Sequence, residues 1–344
     1  MERKQETRWI GLDVSKKSFT AALAVVGLNG VEHAPQPSFG MSREGVRELL
    51  GWCRRLFPRR SFGIAMEATG IYSKRLAALI LKEAPGQRVC ICRPDCVASY
   101  ARSKSTNKTD KADAGYIAMY ACDNDPAPFV PPSEAEEKLG ELVTERAFLV
   151  EQRTRLENRG KTIGSEAVAR IHGKLQRELD ALVEKLDKEI RKLVRENPEI
   201  NREIELMDTV PGIGVTSAAV IHAALGPLEQ YTRKQLSKMS GLSPANRESG
   251  TSVKSSRMSR CGSAMLRQIL YLDVTSALRK IPALAEFRER LLGRPNSTPM
   301  KARCACMRKL LMILRGVVVS GKKFDPNHVS QKTGKDFEKI LGPA

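Results

Sequence analysis

Four acids in this 344-residue chain have the type and spacing for metal-assisted chemistry: Asp13 in "WIGLDVS", Glu67 in "GIAMEATG", and Asp110 with Asp113 in "KSTNKTDKADAGYIAMY". Asp110 and Asp113 stand three apart at the start of an apolar, alanine-rich segment. That spacing has two readings. Asp110 is an N-cap and Asp113 a first-turn acid, favoured by the unpaired amides and positive dipole end of a helix; or the two carboxylates project from one helical face and share a divalent cation. Asp13 lies within an apolar strand sequence, where an unpaired charge is costly, so a metal or a partner is expected beside it. Glu67 closes a second apolar run. An acid in a first strand, one ending a later strand and a pair opening a helix form the set that paired Mg²⁺ ions, about 4 Å apart, require for cutting phosphodiesters. Oxygen donors of this kind suit Mg²⁺, with Mn²⁺ able to substitute.

The elements that must position these acids follow from hydrophobic period. Residues 8–41 contain β-rich runs, "RWIGLDVS", "FTAALAVVG" and "HAPQPSFGM", which predict three antiparallel strands. A helical pattern follows in "SREGVRELLGWCRRLF", then strand "SFGIAMEAT", helix "IYSKRLAALILKEA" and strand "QRVCICRP". Strand and helix alternating after a meander predict a mixed sheet covered by helices, the pattern of an RNase H-like fold. The segment "DNDPAPFVPPSE", with four prolines in twelve residues, reads as a linker. Beyond it, Leu142, Leu149, Leu156 and Ile163 recur every seventh residue, and Leu175, Leu179, Leu182, Leu186, Ile190 and Leu193 continue a three-four pattern. Two long helices are expected, forming either a hairpin or a dimerising coiled coil.

A third region opens with "LMDTVPGIGVTSAAVIHAALG". Its Pro211-Gly212-Ile213-Gly214 turn is similar to a helix-hairpin-helix, whose exposed amides can hold a phosphate without reading sequence; glycine-rich turns between helices are also ordinary. The fold class is therefore α/β + α. Its expected parts are an RNase H-like (RuvC-like) mixed-sheet domain over 1–125, a helical coiled-coil region over 133–205 and a mainly helical C-terminal domain over 206–344.

Charge points to the partner. The chain carries a net +19, and residues 206–344 hold 23 Lys and Arg against 9 Asp and Glu, while the first 205 residues have a surplus of only five cations. This asymmetry implies a polyanion contacted mainly by the C-terminal part, nucleic acid rather than membrane. "MERKQETRWIGLD" has no apolar signal core and Arg315 interrupts "LLMILRGVVVSG", so a cytoplasmic protein is expected. Eight cysteines and four histidines lack zinc-ligand spacing; Cys90, Cys92 and Cys96 read as small apolar residues on or beside a strand. Ser249, Ser252, Ser255, Ser256 and Ser259, set among Arg247, Lys254, Arg257 and Arg260, read as a phosphate-binding loop. Aromatic residues make up only 5% of the chain, so phosphate and shape, not a base-stacking platform, are expected to hold a nucleic acid.

"IGLDVSKKSF", "MEATGIY" and "NKTDKADA", followed in order by "PGIG", "GLSPANRESGTSV" and "SRMSRCGSAMLRQILY", resemble the motifs of the IS110 family of insertion-sequence transposases, the DEDD transposases. The likeness spans almost the whole chain. It implies that Asp13, Glu67, Asp110 and Asp113 are RuvC-like metal ligands and that Ser249 is the nucleophile that attacks DNA; Arg260 departs from the lysine common in relatives, with charge kept. It further implies a recombinase that excises and inserts its element through a covalent phosphoserine and strand exchange. Donor and target DNA would be its substrates and a structured noncoding bridge RNA its guide. A dimer, becoming a tetramer in the synaptic complex and associated with the nucleoid of a bacterial or archaeal host, is expected. The rival readings are a RuvC-like junction nuclease that uses water and no guide, and a non-enzymatic basic nucleic-acid binder.

Overall fold

The computed structural model describes residues 8–23, 26–27, 30–31, 37–58, 61–104, 113–249, 253–259, 262–295 and 297–326. The chain divides into two compact units, Met1–Pro131 and Pro132–Ala344. The boundary falls inside the proline-rich segment.

The first unit is an α/β sandwich. Its strands are β1 (Arg8–Val14), β2 (Ser18–Leu23), β3 (Val26–Gly27), β4 (Gly30–Val31), β5 (Ser38–Gly40), β6 (Phe62–Glu67) and β7 (Arg88–Cys92). Its helices are α1 (Arg43–Leu56), α2 (Ile71–Glu83), α3 (Pro94–Lys104) and α4 (Asp113–Asn124). The main sheet has five strands in the order β5-β2-β1-β6-β7, while β3 and β4 pair separately as a short ribbon. β2 is antiparallel to β1 and to β5, whereas β6 and β7 continue the sheet in parallel with β1. The meander thus matches expectation, with the extra β3–β4 ribbon inserted before β5.

Both faces of this sheet are covered, and the alternation of a pleated strand assigns each side chain to one of them. Ile10, Leu12, Val14, Ile64, Met66 and Val89 pack with Val46, Leu49 and Leu50 of α1 and Leu76, Ala77 and Ile80 of α2. On the other face Trp9, Ala65, Cys90 and Cys92 meet Val97 of α3 and Ile117 and Ala121 of α4. Burial on both sides explains why the strands read as nearly continuous apolar runs.

The second unit is almost wholly helical: α5 (Glu134–Gly160), α6 (Glu166–Glu196), α7 (Pro198–Asp208), α8 (Val215–Leu225), α9 (Arg233–Met239), α10 (Ala264–Lys280), α11 (Pro282–Leu292) and α12 (Pro299–Ser320). An antiparallel ribbon, β8 (Pro244–Ser249) with β9 (Val253–Met258), interrupts it. Local sequence sets the helix starts: a Ser133–Glu136 capping box opens α5, a Thr232–Gln235 box opens α9, and proline occupies a first-turn position of α7, α11 and α12.

α5 and α6 form a hairpin within one chain, tied along its length by Arg146–Asp187 at 2.7 Å and Arg153–Asp180 at 3.4 Å. One apolar core takes the inner ends of this hairpin, through Leu139, Val143, Ile190, Leu193 and Val194, together with α7, α8 and α10 to α12. Towards its outer end the hairpin leaves Phe148, Val168, Ile171, Leu175 and Leu182 exposed. Among the described residues no helix is long and apolar enough to cross a membrane.

Candidate active site

Asp13 and Glu67 come together through strand register. β1 and β6 are parallel, with Gly11 beside Ala65 and Leu12 beside Met66, so the next step along both strands is Asp13 and Glu67. Asp13 is also paired with Thr20 of β2, and Glu67 with Cys92 of β7. The two acids share the face of Trp9, Ala65 and Cys92, which α3 and α4 cover. They therefore stand at the carboxyl ends of adjacent parallel strands, the edge at which open α/β sheets bind their ligands.

Gly11 brings α4 to this edge. A Cβ on Gly11 would overlap the carbonyl oxygen of Ala114 and stand 2.6 Å from the backbone nitrogen of Ala118, so the helix lies directly on the bare strand. Trp9, two residues earlier, clusters with Ile117 and Ala121, which lie later in the helix. α4 therefore runs back along β1, and its first residue, Asp113, lies toward the end of the strand that carries Asp13. Asp110 lies outside the described residues. The glycine was the residue that sequence reading passed over, although a glycine inside a strand is a signal of close backbone approach.

Asp13 differs from expectation in one respect. It occupies an exposed position at the end of an otherwise buried strand, not a charge held within the core. The physical reason is the placement of α4: the helix shields Trp9 and Gly11, and Asp13 falls beyond its first turn. A solvated carboxylate at a sheet edge is open to a hydrated cation, and the burial cost invoked from sequence does not arise.

The residues present fit a hard divalent cation. Asp13 and Glu67 supply oxygen donors from separate strands. The hydroxyl of Thr69, two residues past Glu67, is buried without a hydrogen-bond partner. Among the described residues no group of three or more His, Cys, Asp or Glu side chains forms a ligand set, and the remaining two acids of the proposed quartet are Asp110 and the residue that opens α4. Burial, followed by neighbouring Cys90, Cys96 and Glu67, pushes the Cys92 thiol up to about 12, and burial also raises Cys90, so neither is a ready thiolate. Cys90 and Cys92 are buried on β7, as the sequence suggested.

The sequence-selected residues of the second unit fall into two places. Ser249 ends β8 opposite Val253; Arg247 stands opposite Ser255, Ala245 opposite Arg257, and Glu248 opposite Lys254. Arg260 lies outside the described residues. The Pro211–Gly214 turn connects α7 to α8. Gly212 has φ +99°, and a Cβ there would stand 2.6 Å from the Ala277 nitrogen of α10, so the turn demands glycine on both conformational and packing grounds. Gly214 is the N-cap of α8 without a side-chain bond. Two carboxylates approach the first turn of that helix: Asp187 accepts from Thr216 at 3.1 Å and Asp273 from Ser217 at 2.8 Å.

The DEDD family model described as a transposase of the IS110 type matches residues 10–163, and that described as "Transposase IS116/IS110/IS902 family" matches residues 204–289. The chain is 29% identical over 326 residues to a pilin gene-inverting protein of Moraxella bovis, covering 92% of this chain and 97% of the relative. It is 28% identical to the protein of that name from Moraxella lacunata over the same length. A transposase for the insertion sequence element IS1111A of Coxiella burnetii is 30% identical over 82 residues, 24% of this chain and 22% of that protein. With two family models matching in order and full-length relatives alongside them, the chain belongs to the IS110 family of transposases.

Proposed function

We propose that this transposase recombines DNA through a covalent phosphoserine, with Asp13, Glu67, Asp110 and Asp113 holding Mg²⁺ or Mn²⁺ on an RNase H-like sheet and Ser249 as nucleophile. The observation that carries the reading is the placement of Asp13 and Glu67 at the ends of adjacent parallel strands with α4 opening beside them. The sheet order supports the fold assignment, since three antiparallel strands continued by two parallel ones are what an RNase H-like core requires.

In this scheme a bound divalent cation would polarise the scissile phosphate and stabilise the leaving oxygen. The carboxylates would hold that cation at the sheet edge and so fix where the phosphate is bound. Ser249 loses its proton, its oxygen forms a bond to phosphorus, and the bond to one DNA oxygen breaks, with that oxygen taking a proton. One phosphoester replaces another, so a strand hydroxyl can later reverse the exchange without an external energy source. Arg247, Lys254, Arg257 and Arg260 offset the charge that develops on the phosphate. The pilin gene-inverting relatives are named for a DNA rearrangement, which is consistent with cutting and rejoining. A structured guide RNA is held by the basic C-terminal surplus, and the exposed apolar stripe of the α5–α6 hairpin joins copies of the chain.

The test is a reaction on labelled donor DNA quenched in denaturant, wild type beside Ser249→Ala, with DNA-linked protein resolved on a gel. Wild type forms an adduct and the variant binds DNA without forming one. Active wild type without any adduct would replace this mechanism by hydrolysis with water. Sequencing of RNA that co-purifies with the protein tests the guide.

A further inference from the structure

The outward face of α1 carries a groove that the acid site does not use. Val46, Leu49, Leu50 and Cys53 turn into the core, which leaves Arg47, Glu48, Gly51 and Arg55 on the outward side of the helix and Trp52 half-buried at its flank, packed against the core. With Phe39 of the edge strand β5, these residues line a groove of about 570 Å³. Its floor is aromatic: the Trp52 and Phe39 rings lie 6.3 Å apart at 55°, and Phe39 is backed by Phe19 at 5.6 Å. Its walls carry two arginines, Arg47 and Arg55, beside one acid, Glu48. Arg47 is anchored through Nε to Glu83 at 2.7 Å while its side chain remains 63% exposed, and Arg55 is exposed on the following turns.

Gly51 is the second observation. A glycine inside a helix is less favourable than alanine. Neither conformation nor packing demands one here, because a Cβ at Gly51 would meet only the Arg55 Nη1 atom, at an ordinary 3.8 Å. What the missing side chain does is keep the groove open between Arg47 and Trp52.

We propose that this groove binds an unpaired nucleotide of single-stranded DNA, the base against Trp52 and Phe39 and its flanking phosphates on Arg47 and Arg55. Aromatic faces stack any base, and arginines beside them hold the backbone without reading sequence. Glu48 offers an acceptor to an imino or amino N–H of the base, the N3–H in the case of thymine. The groove lies on the α1–α2 face of the sheet, opposite the face of Asp13 and Glu67, so it holds a displaced strand and does not cut it. Aromatic residues are few in the chain as a whole, yet two of them, Phe39 and Trp52, line this one groove. The inference requires only that the chain acts on DNA, and it stands whether or not Ser249 is the nucleophile.

Fluorescence tests it directly, because the chain has two tryptophans and Trp9 is buried, with 1% exposure. Titration of the full-length protein in EDTA with an oligothymidylate of about ten nucleotides should quench Trp52 emission, and Trp52→Ala, followed by anisotropy of the same oligonucleotide carrying an end label, should weaken binding about tenfold. Gly51→Leu, which fills the groove while favouring the helix, should weaken binding similarly with an unchanged or raised melting temperature, separating occupancy from folding. Trp52→Phe should retain most of the affinity. Absence of quenching, an affinity unchanged in Gly51→Leu, equal quenching by duplex DNA, or tighter binding of the matching oligouridylate would each overturn the assignment to single-stranded DNA.

Discussion

Gly11 on β1 and Ala114 on α4 meet backbone to backbone: a Cβ on the glycine would overlap the alanine carbonyl oxygen. This contact sets the distance between the strand that carries Asp13 and the helix that Asp113 opens. Gly11→Ala must push α4 off the sheet, at a cost of about 1–3 kcal/mol from overpacking. The expected result is a lowered melting temperature and loss of DNA cleavage, with DNA binding retained. Cleavage at the wild-type rate in a folded Gly11→Ala protein would show that the spacing of α4 from β1 does not control the site.

Asp13→Asn and Glu67→Gln keep shape and remove charge. Each should abolish cleavage while leaving nucleic-acid binding and melting temperature near wild type, since Asp13 is exposed and Glu67 half-buried at a sheet edge. Cleavage should require added Mg²⁺ or Mn²⁺ and stop in EDTA. Undiminished activity in excess chelator would remove the metal from the scheme.

Val168, Ile171, Leu175 and Leu182 are spaced three, four and seven apart on α6 and remain exposed, with Ile171 at 73%. A stripe at this spacing suits a partner helix. Replacing Ile171 and Leu175 together by Asp should shift the protein toward monomer in light scattering without altering its helical content. The inner hairpin residues Leu139 and Ile190 are fully buried in the chain's own core, so the same substitutions there should unfold the protein instead.

Asp273 is 6% exposed in the core between α8 and α10, and burial raises its carboxyl to about 7, partly offset by the Ser217 hydroxyl. The fold thus favours the protonated form. The contribution to stability is complete below the ordinary value of 3.8 and is lost as pH rises through about 7. Across that window it falls by at most about 1.4 kcal/mol per pH unit. Asp273→Asn retains a hydrogen-bonding partner for Ser217 and removes the titration, so its melting temperature relative to wild type should rise between pH 5 and pH 8. An identical pH dependence in both proteins would show that Asp273 is charged throughout.

Much of this architecture follows from local pattern. Apolar runs buried on both faces, capping boxes at Ser133 and Thr232, and the proline-rich segment that contains the unit boundary are all readable along the chain, because each depends on residues a few positions apart. The sequence also singled out Asp13 and Glu67 as chemically significant.

It could not show that they are neighbours. That follows from the parallel register of β1 with β6, a pairing between residues more than fifty positions apart, for which the intervening chain carries no local code. Tertiary packing likewise decided that Asp13 is solvated, because only the docking of α4 on Gly11 determines where helical cover ends. The same holds for the choice between hairpin and coiled coil: a heptad stripe specifies an apolar face but not its occupant, and here the inner half is buried within the chain while the outer half is left exposed. The aromatic groove on α1 was invisible for a related reason. Overall aromatic content averages over the chain, whereas a binding surface depends on which few rings the fold brings together.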